Sequence, residues 1–183
     1  MSAARSVTAI FMLQRFTLAA VRTGLGGGTV TSSPSGINCG TACSTDYVVN
    51  TSVTLTASPA ANSAFLGWTG CDSTSGATCT VLMSAAKSVT ANFDLKRFTW
   101  TTAVHRVVLG NGTVTSSPAG ISCGADCSEA YVIGTAVTLT ATPTGVSLFD
   151  GWTGCDAVNG ASCTVTMSAA KSVTASFIGV SLF

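Results

Sequence analysis

The sequence predicts an all-β fold, with little or no helix, made of two tandem small β modules that carry disulfides within each module. Three observations support this prediction. The chain repeats itself at a constant offset of 84 residues, apolar residues alternate with threonine and serine, and each copy carries four cysteines at matching positions. Self-similarity at a fixed period is typical of tandem repeats, and alternation with period two is typical of strands with one buried face.

The repeat defines the domain organisation. Gly28–Phe93 aligns without a gap onto Gly112–Phe177, with 45 identities in 66 positions. Upstream, Arg15-Phe16-Thr17 matches Arg97-Phe98-Thr99 at an offset of 82. Module two therefore has two more residues than module one between this motif and Gly112. We therefore expect module one at residues 14–93 and module two at 96–177.

The two ends of the chain depart from this pattern. Residues 1–11 (MSAARSVTAIF) copy residues 83–93 (MSAAKSVTANF) almost exactly. A signal peptide is the alternative interpretation of these N-terminal residues. However, a cleaved signal peptide has no reason to resemble the end of a folded module. We therefore expect residues 1–11 to be the terminal strand of a truncated preceding repeat, and residues 178–183 to be a tail.

Alternation locates the strands inside each module. In residues 53–57 (VTLTA) apolar residues alternate with threonines, as a half-buried strand requires. Residues 84–87 (SAAK) are expected to form a hairpin turn between the strands that flank them, and the glycines at 26–28 and 110–112 to form a second hairpin in each copy. Residues 43–49 could form one helical turn.

The eight cysteines predict a disulfide framework. Four cysteines in a module of about 80 residues are typical of a small disulfide-bonded domain, and three pairings per module are possible. The two local pairs are favoured, because the segment between the second pair is polar and contains glycine. A four-cysteine zinc site is the alternative, but it usually draws on tighter C-x2-C spacings. The cysteines are Cys39, Cys43, Cys71, Cys79, Cys123, Cys127, Cys155 and Cys163.

Composition argues against several classes of protein. Charged residues make up 8% of the chain and the net charge is +1, so the basic surface that nucleic-acid binding needs is absent from the sequence. Hydrophobic residues make up 46%, which is unlike a disordered chain. No apolar stretch is long enough for a transmembrane segment.

Candidate catalytic residues are few, because a site used by both modules should recur in both. The recurring ionisable residues are Arg15/Arg97, Tyr47/Tyr131, Asp72/Asp156 and Lys87/Lys171. His105 is the only histidine and has no counterpart in module one, so no repeated Ser-His-Asp site can form. A single repeated carboxylate is also a poor calcium site. We expect no catalytic site, metal or cofactor.

Trp68 and Trp152 are the candidate ligand platform. Each lies in the sequence Gly-Trp-Thr-Gly-Cys-Asp. An exposed indole could stack on a sugar ring, whereas a core indole would pack beside the disulfide with its N–H bonded to a backbone oxygen. The packing role is favoured, since a sugar-binding face normally presents several aromatic side chains.

Four repeated blocks carry a family resemblance: GTVTSSP-x-GI-x-CG-x-x-C, VTLTA-x-P, F-x-GWTGC and CTV-x-MSAAKSVTA-x-F. In this order the chain resembles the divergent internalin B-repeat family of bacterial surface and secreted proteins. The resemblance implies a β-grasp-like, non-enzymatic module that serves as a stalk, spacer or adhesive element outside the cell. Expected partners are neighbouring modules or copies of the chain. The alternative is a carbohydrate- or protein-binding module of a secreted protein.

Overall fold

The computed structural model describes residues 8–107 and 110–180, which divide into two compact units between Leu95 and Lys96. Every regular element in these residues is a strand. Accordingly, these residues contain no helix that could cross a membrane. The strands of the first unit are β1 Arg15–Thr23, β2 Gly28–Ser33, β3 Asn38–Cys39, β4 Ser44–Val48, β5 Ser52–Pro59, β6 Ser63–Thr69, β7 Ser73–Ser75, β8 Thr78–Leu82 and β9 Lys87–Leu95.

Two sheets form the first module. One has the order β4-β1-β9-β6, and the other has the order β3-β2-β5-β8-β7. All neighbours are antiparallel except β1 and β9, which run parallel with Leu18 opposite Lys87 and Thr23 opposite Asn92. The first and last strands of the module are therefore direct neighbours in one sheet.

The second module repeats this arrangement, with sheets β13-β10-β18-β15 and β12-β11-β14-β17-β16. Its first and last strands, β10 and β18, are again parallel neighbours. Its strands are β10 Arg97–Val107, β11 Gly112–Ser117, β12 Ser122–Cys123, β13 Ser128–Val132, β14 Ala136–Pro143, β15 Ser147–Thr153, β16 Ala157–Asn159, β17 Ser162–Thr166 and β18 Lys171–Gly179.

The core of each module lies between its two sheets. In β5, Val53, Leu55 and Ala57 are buried, while the threonines between them point away, as the alternation predicts. Phe93 of β9 enters the same cluster from the other sheet. Both sheets thus bury one face against each other, and the predicted all-β fold of two disulfide-bearing modules is confirmed.

The predicted hairpins are wrong. β8 and β9 flank residues 84–87 but belong to different sheets, and so do β1 and β2 around Gly26–Gly28 and β10 and β11 around Gly110–Gly112. At each of these places the chain crosses from one face of the core to the other. Turn residues permit a reversal of direction, but they do not decide whether the next strand pairs with the last one.

The last strand of each module extends two residues beyond the aligned repeat. β9 continues through Asp94 and Leu95, and β18 continues two residues into the predicted tail, to Gly179. Residues 8–14 contain no strand. Residues 1–7, which hold most of the predicted terminal strand, and residues 181–183 of the tail lie outside the described residues. The assignment of residues 1–11 to a preceding repeat therefore stays a prediction.

Candidate functional site

The structure pairs the cysteines locally within each module. Cys39 is bonded to Cys43 and Cys71 to Cys79 in module one. In module two the pairs are Cys123–Cys127 and Cys155–Cys163. One cysteine of each bridge, such as Cys39 or Cys79, lies in the core. The bridges leave no free cysteine among the described residues, so the zinc alternative has no thiolate ligands there.

The two candidate tryptophans lie at the edge of the core, three residues before the first cysteine of the second disulfide of each module. Trp68 follows a β-bulge in β6, and its ring packs against Phe65 with the centroids 5.5 Å apart. Trp152 packs in the same way against Phe149, at 5.4 Å. Both indoles are half-buried and belong to the periphery of the core clusters. These contacts favour the packing role, while sugar binding stays a prediction that no contact in the structure tests.

The two indoles differ in how their N–H groups are used. The Trp68 Nε1–H donates to the Ala77 carbonyl oxygen at 3.0 Å, which ties the indole to the loop closed by Cys71–Cys79. The buried Trp152 Nε1–H finds no acceptor among the residues that the structure describes. The sequence, which places both tryptophans in the same motif, gives no signal of this difference.

This difference gives a matched stability test. We expect Trp68→Phe to lower the stability of module one by about 0.5–1 kcal/mol more than Trp152→Phe lowers that of module two, because only Trp68 loses a hydrogen bond. Hydrogen exchange followed by peptide mass spectrometry measures both modules in the full chain. Equal losses would show that the Ala77 contact adds nothing to stability.

The repeated Asp and Lys residues form an ion pair in each module. Lys87 Nζ lies 2.7 Å from Asp72 Oδ1, and Asp72 Oδ2 accepts the Leu82 backbone N–H at 2.7 Å. The bond from Lys87, followed by that from Leu82, lowers the pKa of Asp72. In module two, the Thr166 N–H and then Lys171 lower the pKa of Asp156. Both carboxylates are thus kept in the ionised form. Each of them links the disulfide loop of its module to the lysine that begins the last strand.

The repeated tyrosines are also structural. The Tyr47 hydroxyl lies 2.7 Å from the Ser32 hydroxyl and donates to the Pro34 carbonyl oxygen at 3.1 Å. Tyr131 makes the equivalent contacts with Ser116 and Pro118. Both rings are buried, so these residues belong to the core of their modules.

No candidate for catalysis is assembled in the described part of the chain. His105 is exposed on β10, and its register partner is Ser176. No cluster of three or more His, Cys, Asp or Glu side chains suited to a metal occurs in residues 8–107 and 110–180. A groove of about 480 Å³ lies beside Cys39–Cys43, but its one charged side chain, Arg22, donates to the Gly28 carbonyl oxygen at 2.6 Å.

Solved structures with a similar fold occur among bacterial proteins. The chain matches the Bacillus anthracis TIE protein with a TM-score of 0.50 and 9% identity, over 91% of this chain and 34% of that one. It therefore spans about a third of that protein. A minor pilin of Streptococcus agalactiae, GBS52, aligns over 92% of this chain and 98% of its own with 9% identity and a TM-score of 0.33. At 9% identity and a TM-score of 0.50, the match to the TIE protein shows similarity of fold alone.

The family comparison is more specific. No curated protein matches the chain. The model of the divergent InlB B-repeat domain matches twice in tandem, over residues 19–97 and 107–181. These two matches correspond to the two modules and together cover most of the sequence. The chain therefore belongs to the divergent InlB B-repeat family.

Proposed function

We propose that the chain is a non-catalytic structural repeat of a secreted or cell-surface protein, in which each module acts as a load-bearing spacer. The observation that carries this proposal is the parallel pairing of the first and last strands of each module. β1 and β9 are hydrogen-bonded neighbours over six register pairs, and β10 and β18 over eight. The alternative, binding of a polysaccharide or protein ligand, has no comparable support.

Parallel end strands determine how tension acts on a module. The chain enters β1 at Arg15 and leaves β9 at Leu95, and these two residues lie at opposite ends of the parallel pair. Pulling on both ends slides β1 and β9 past each other, so all hydrogen bonds between them are loaded together. If the end strands were antiparallel, the chain would enter and leave the module at the same end, and tension would break the hydrogen bonds between them one at a time. Resistance to shear is the property that a stalk or spacer requires.

The disulfides and the repeated polar residues support the same role. Persistent disulfides form in oxidising compartments such as the cell exterior. The recurring tyrosines, aspartates and lysines all make structural contacts within their own module. The residues that recur in both copies thus stabilise the fold, and this agrees with a spacer better than with an enzyme.

Single-molecule stretching of the full chain tests this proposal. We expect two separate unfolding events, one for each module. Reduction should lengthen each event by about 30 Å, because the two bridges of a module hold back 4 and 8 residues of roughly 3.4 Å each, less the Cα–Cα distances of 4.2 and 5.7 Å that the bridges themselves span. An event length that is insensitive to reductant would contradict the disulfide assignment.

A pair of matched variants tests the role of the end strands. Val89 of β9 and Val53 of β5 are both fully buried, so changing either to alanine should lower stability by a similar amount, about 1–3 kcal/mol. Only Val89→Ala weakens the strand pair under shear, so it should lower the unfolding force more than Val53→Ala does. Equal reductions in force would refute the load-bearing role of β1 and β9.

A further inference from the structure

Asn111 and Gly112 form an Asn-Gly pair where β11 begins. In such a pair the backbone nitrogen of the glycine can attack the carboxamide of the asparagine, because a residue without Cβ lets the two groups approach closely. The Gly112 N–H donates to Asn111 Oδ1 at 3.0 Å. Since Oδ1 is bonded to Cγ at about 1.2 Å, Cγ lies no more than about 4.2 Å from that nitrogen. The structure therefore holds the nucleophile against the carbon that it would attack.

Two hydrogen bonds fix the backbone around this pair. The Asn111 N–H donates to Ser147 Oγ at 2.9 Å, and the Asn111 carbonyl oxygen accepts the Thr144 N–H at 3.0 Å. When the Gly112 nitrogen loses its proton, negative charge spreads onto that carbonyl oxygen, because both atoms belong to one conjugated peptide group. The Thr144 N–H faces this charge as it develops and stabilises it. The fold thus positions the nucleophile and also favours its reactive, deprotonated form.

Module one has the same backbone contacts without the reactive side chain. Gly27 occupies the position of Asn111 in the repeat. Its N–H donates to Ser63 Oγ at 2.8 Å, and its carbonyl oxygen accepts the Ala60 N–H at 2.9 Å. A Cβ added at Gly27 would meet the Ala60 methyl group at 3.5 Å, an ordinary van der Waals contact. The backbone therefore accepts an asparagine in either module, and the sequence places one in module two.

A second Asn-Gly pair, Asn159 and Gly160, provides an internal reference. Asn159 is exposed, and its register partner Ser162 closes a two-residue turn between β16 and β17. This pair shares the sequence but not the contact. Among the residues that the structure describes, the bond from the glycine N–H to the asparagine side chain occurs at Asn111 alone. Asn159 therefore reports the reactivity that the dipeptide has without this contact.

We propose that Asn111 and Gly112 form a self-modification site, with water as the second reactant. The Gly112 nitrogen attacks Asn111 Cγ, so that an N–Cγ bond forms and the Cγ–Nδ2 bond breaks. Nδ2 takes up the proton that the Gly112 nitrogen has lost and leaves as ammonia. Because Asn111 is exposed, water reaches the resulting succinimide and opens it. Opening at Cγ gives aspartate, and opening at the main-chain carbonyl carbon gives isoaspartate.

The isoaspartate product conflicts with the packing at the start of β11. It adds the Cβ of residue 111 to the main chain, so the path into β11 becomes one atom longer. The backbone has no spare room there: a Cβ added at Gly110 would overlap the Phe177 carbonyl oxygen, and one at Gly112 would overlap the Phe177 ring. A close-packed interior does not absorb such a change without loss. Module two should therefore lose stability with age, while module one should not.

Incubation of the full oxidised chain in mildly alkaline buffer, followed by peptide mass spectrometry, tests the proposal. Aspartate and isoaspartate should both appear at Asn111, at least about tenfold faster than at Asn159. Asn111→Gly, which copies Gly27, should abolish the reaction at that position. Gly27→Asn is the converse variant, and it should give module one the same two products. Peptide-resolved hydrogen exchange of the aged chain should show lost protection in β11 of the wild type, but not of Asn111→Gly.

Four results would overturn the proposal. A rate at Asn111 no higher than that at Asn159 would reduce the effect to the Asn-Gly sequence. A faster reaction at Asn111 in the reduced, denatured chain would show that the fold protects the pair. An unmodified Gly27→Asn chain would show that the shared backbone contacts do not activate the glycine nitrogen. Unchanged protection in the converted chain would remove the loss of stability. In every case the stretching experiment still decides the load-bearing role on its own.

Discussion

Replacing all four cysteines of module one with serine should lower its free energy of unfolding by about 4–5 kcal/mol. On the chain-entropy model, bridges that span 4 and 8 residues contribute about 2 and about 2.5 kcal/mol by restricting the unfolded chain. A domain of this size has a total stability of roughly 5–15 kcal/mol. The substituted module should therefore be close to unfolding at 37 °C, whereas module two, with its bridges intact, should remain folded.

Chemical denaturation of the full chain with peptide-resolved hydrogen exchange measures this loss in one module and uses the other as its control. Alkylation before and after reduction establishes the starting state: all eight cysteines should resist alkylation until reductant is added. If both modules retain the same protection after the four substitutions, the disulfides do not stabilise the fold as proposed. Free thiols in the native protein would remove the argument for an oxidising compartment.

Phe93→Ala should cost module one about 3–5 kcal/mol, since the ring is fully buried and packs against Phe65 with centroids 5.5 Å apart. The ring also lies directly over Gly28, where an added Cβ would overlap it. Gly28→Ala should consequently cost about 1–3 kcal/mol through overpacking. These two residues are therefore energetically coupled.

A double-mutant cycle measures that coupling. In Gly28→Ala/Phe93→Ala the new methyl group occupies part of the space left by the ring, so the combined loss should be smaller than the sum of the two single losses. Equilibrium denaturation gives the three values. Strict additivity would contradict the contact between Gly28 and Phe93. The same cycle at Gly112 and Phe177, which have the equivalent overlap, serves as an independent repetition.

Local sequence patterns predicted the strands well because burial imposes them residue by residue. The alternation of Val53, Leu55 and Ala57 with threonines reflects a strand buried on one face, and it recurs unchanged at Val137, Leu139 and Ala141. The cysteine pairs were also predictable, since a bridge over 4 or 8 residues depends on local chain geometry. Each of these features can be recognised from residues that lie close together in the sequence.

Strand pairing was not predictable in the same way. The turn at residues 84–87 looks like a hairpin, yet β9 leaves β8 and pairs with β1, more than 60 residues earlier in the chain. Trp100 was missed as a core residue, although it occupies the position of Leu18 and is fully buried. The sequence signal that could have identified Trp100 as a core residue is its alignment with the apolar Leu18 at an offset of 82 residues. The parallel end strands, on which the proposed mechanical role depends, have no local sequence signature.

The short span of each disulfide has a consequence for how a repetitive protein oxidises. Eight cysteines can pair in roughly a hundred ways, and near-identical neighbours invite exchange of strands between modules during folding. Because each native bridge closes within nine consecutive residues, the correct partner is the nearest thiol even in a disordered chain. A module that has borrowed a strand from its neighbour would still carry correct bridges, and could return to the native arrangement without a disulfide isomerase.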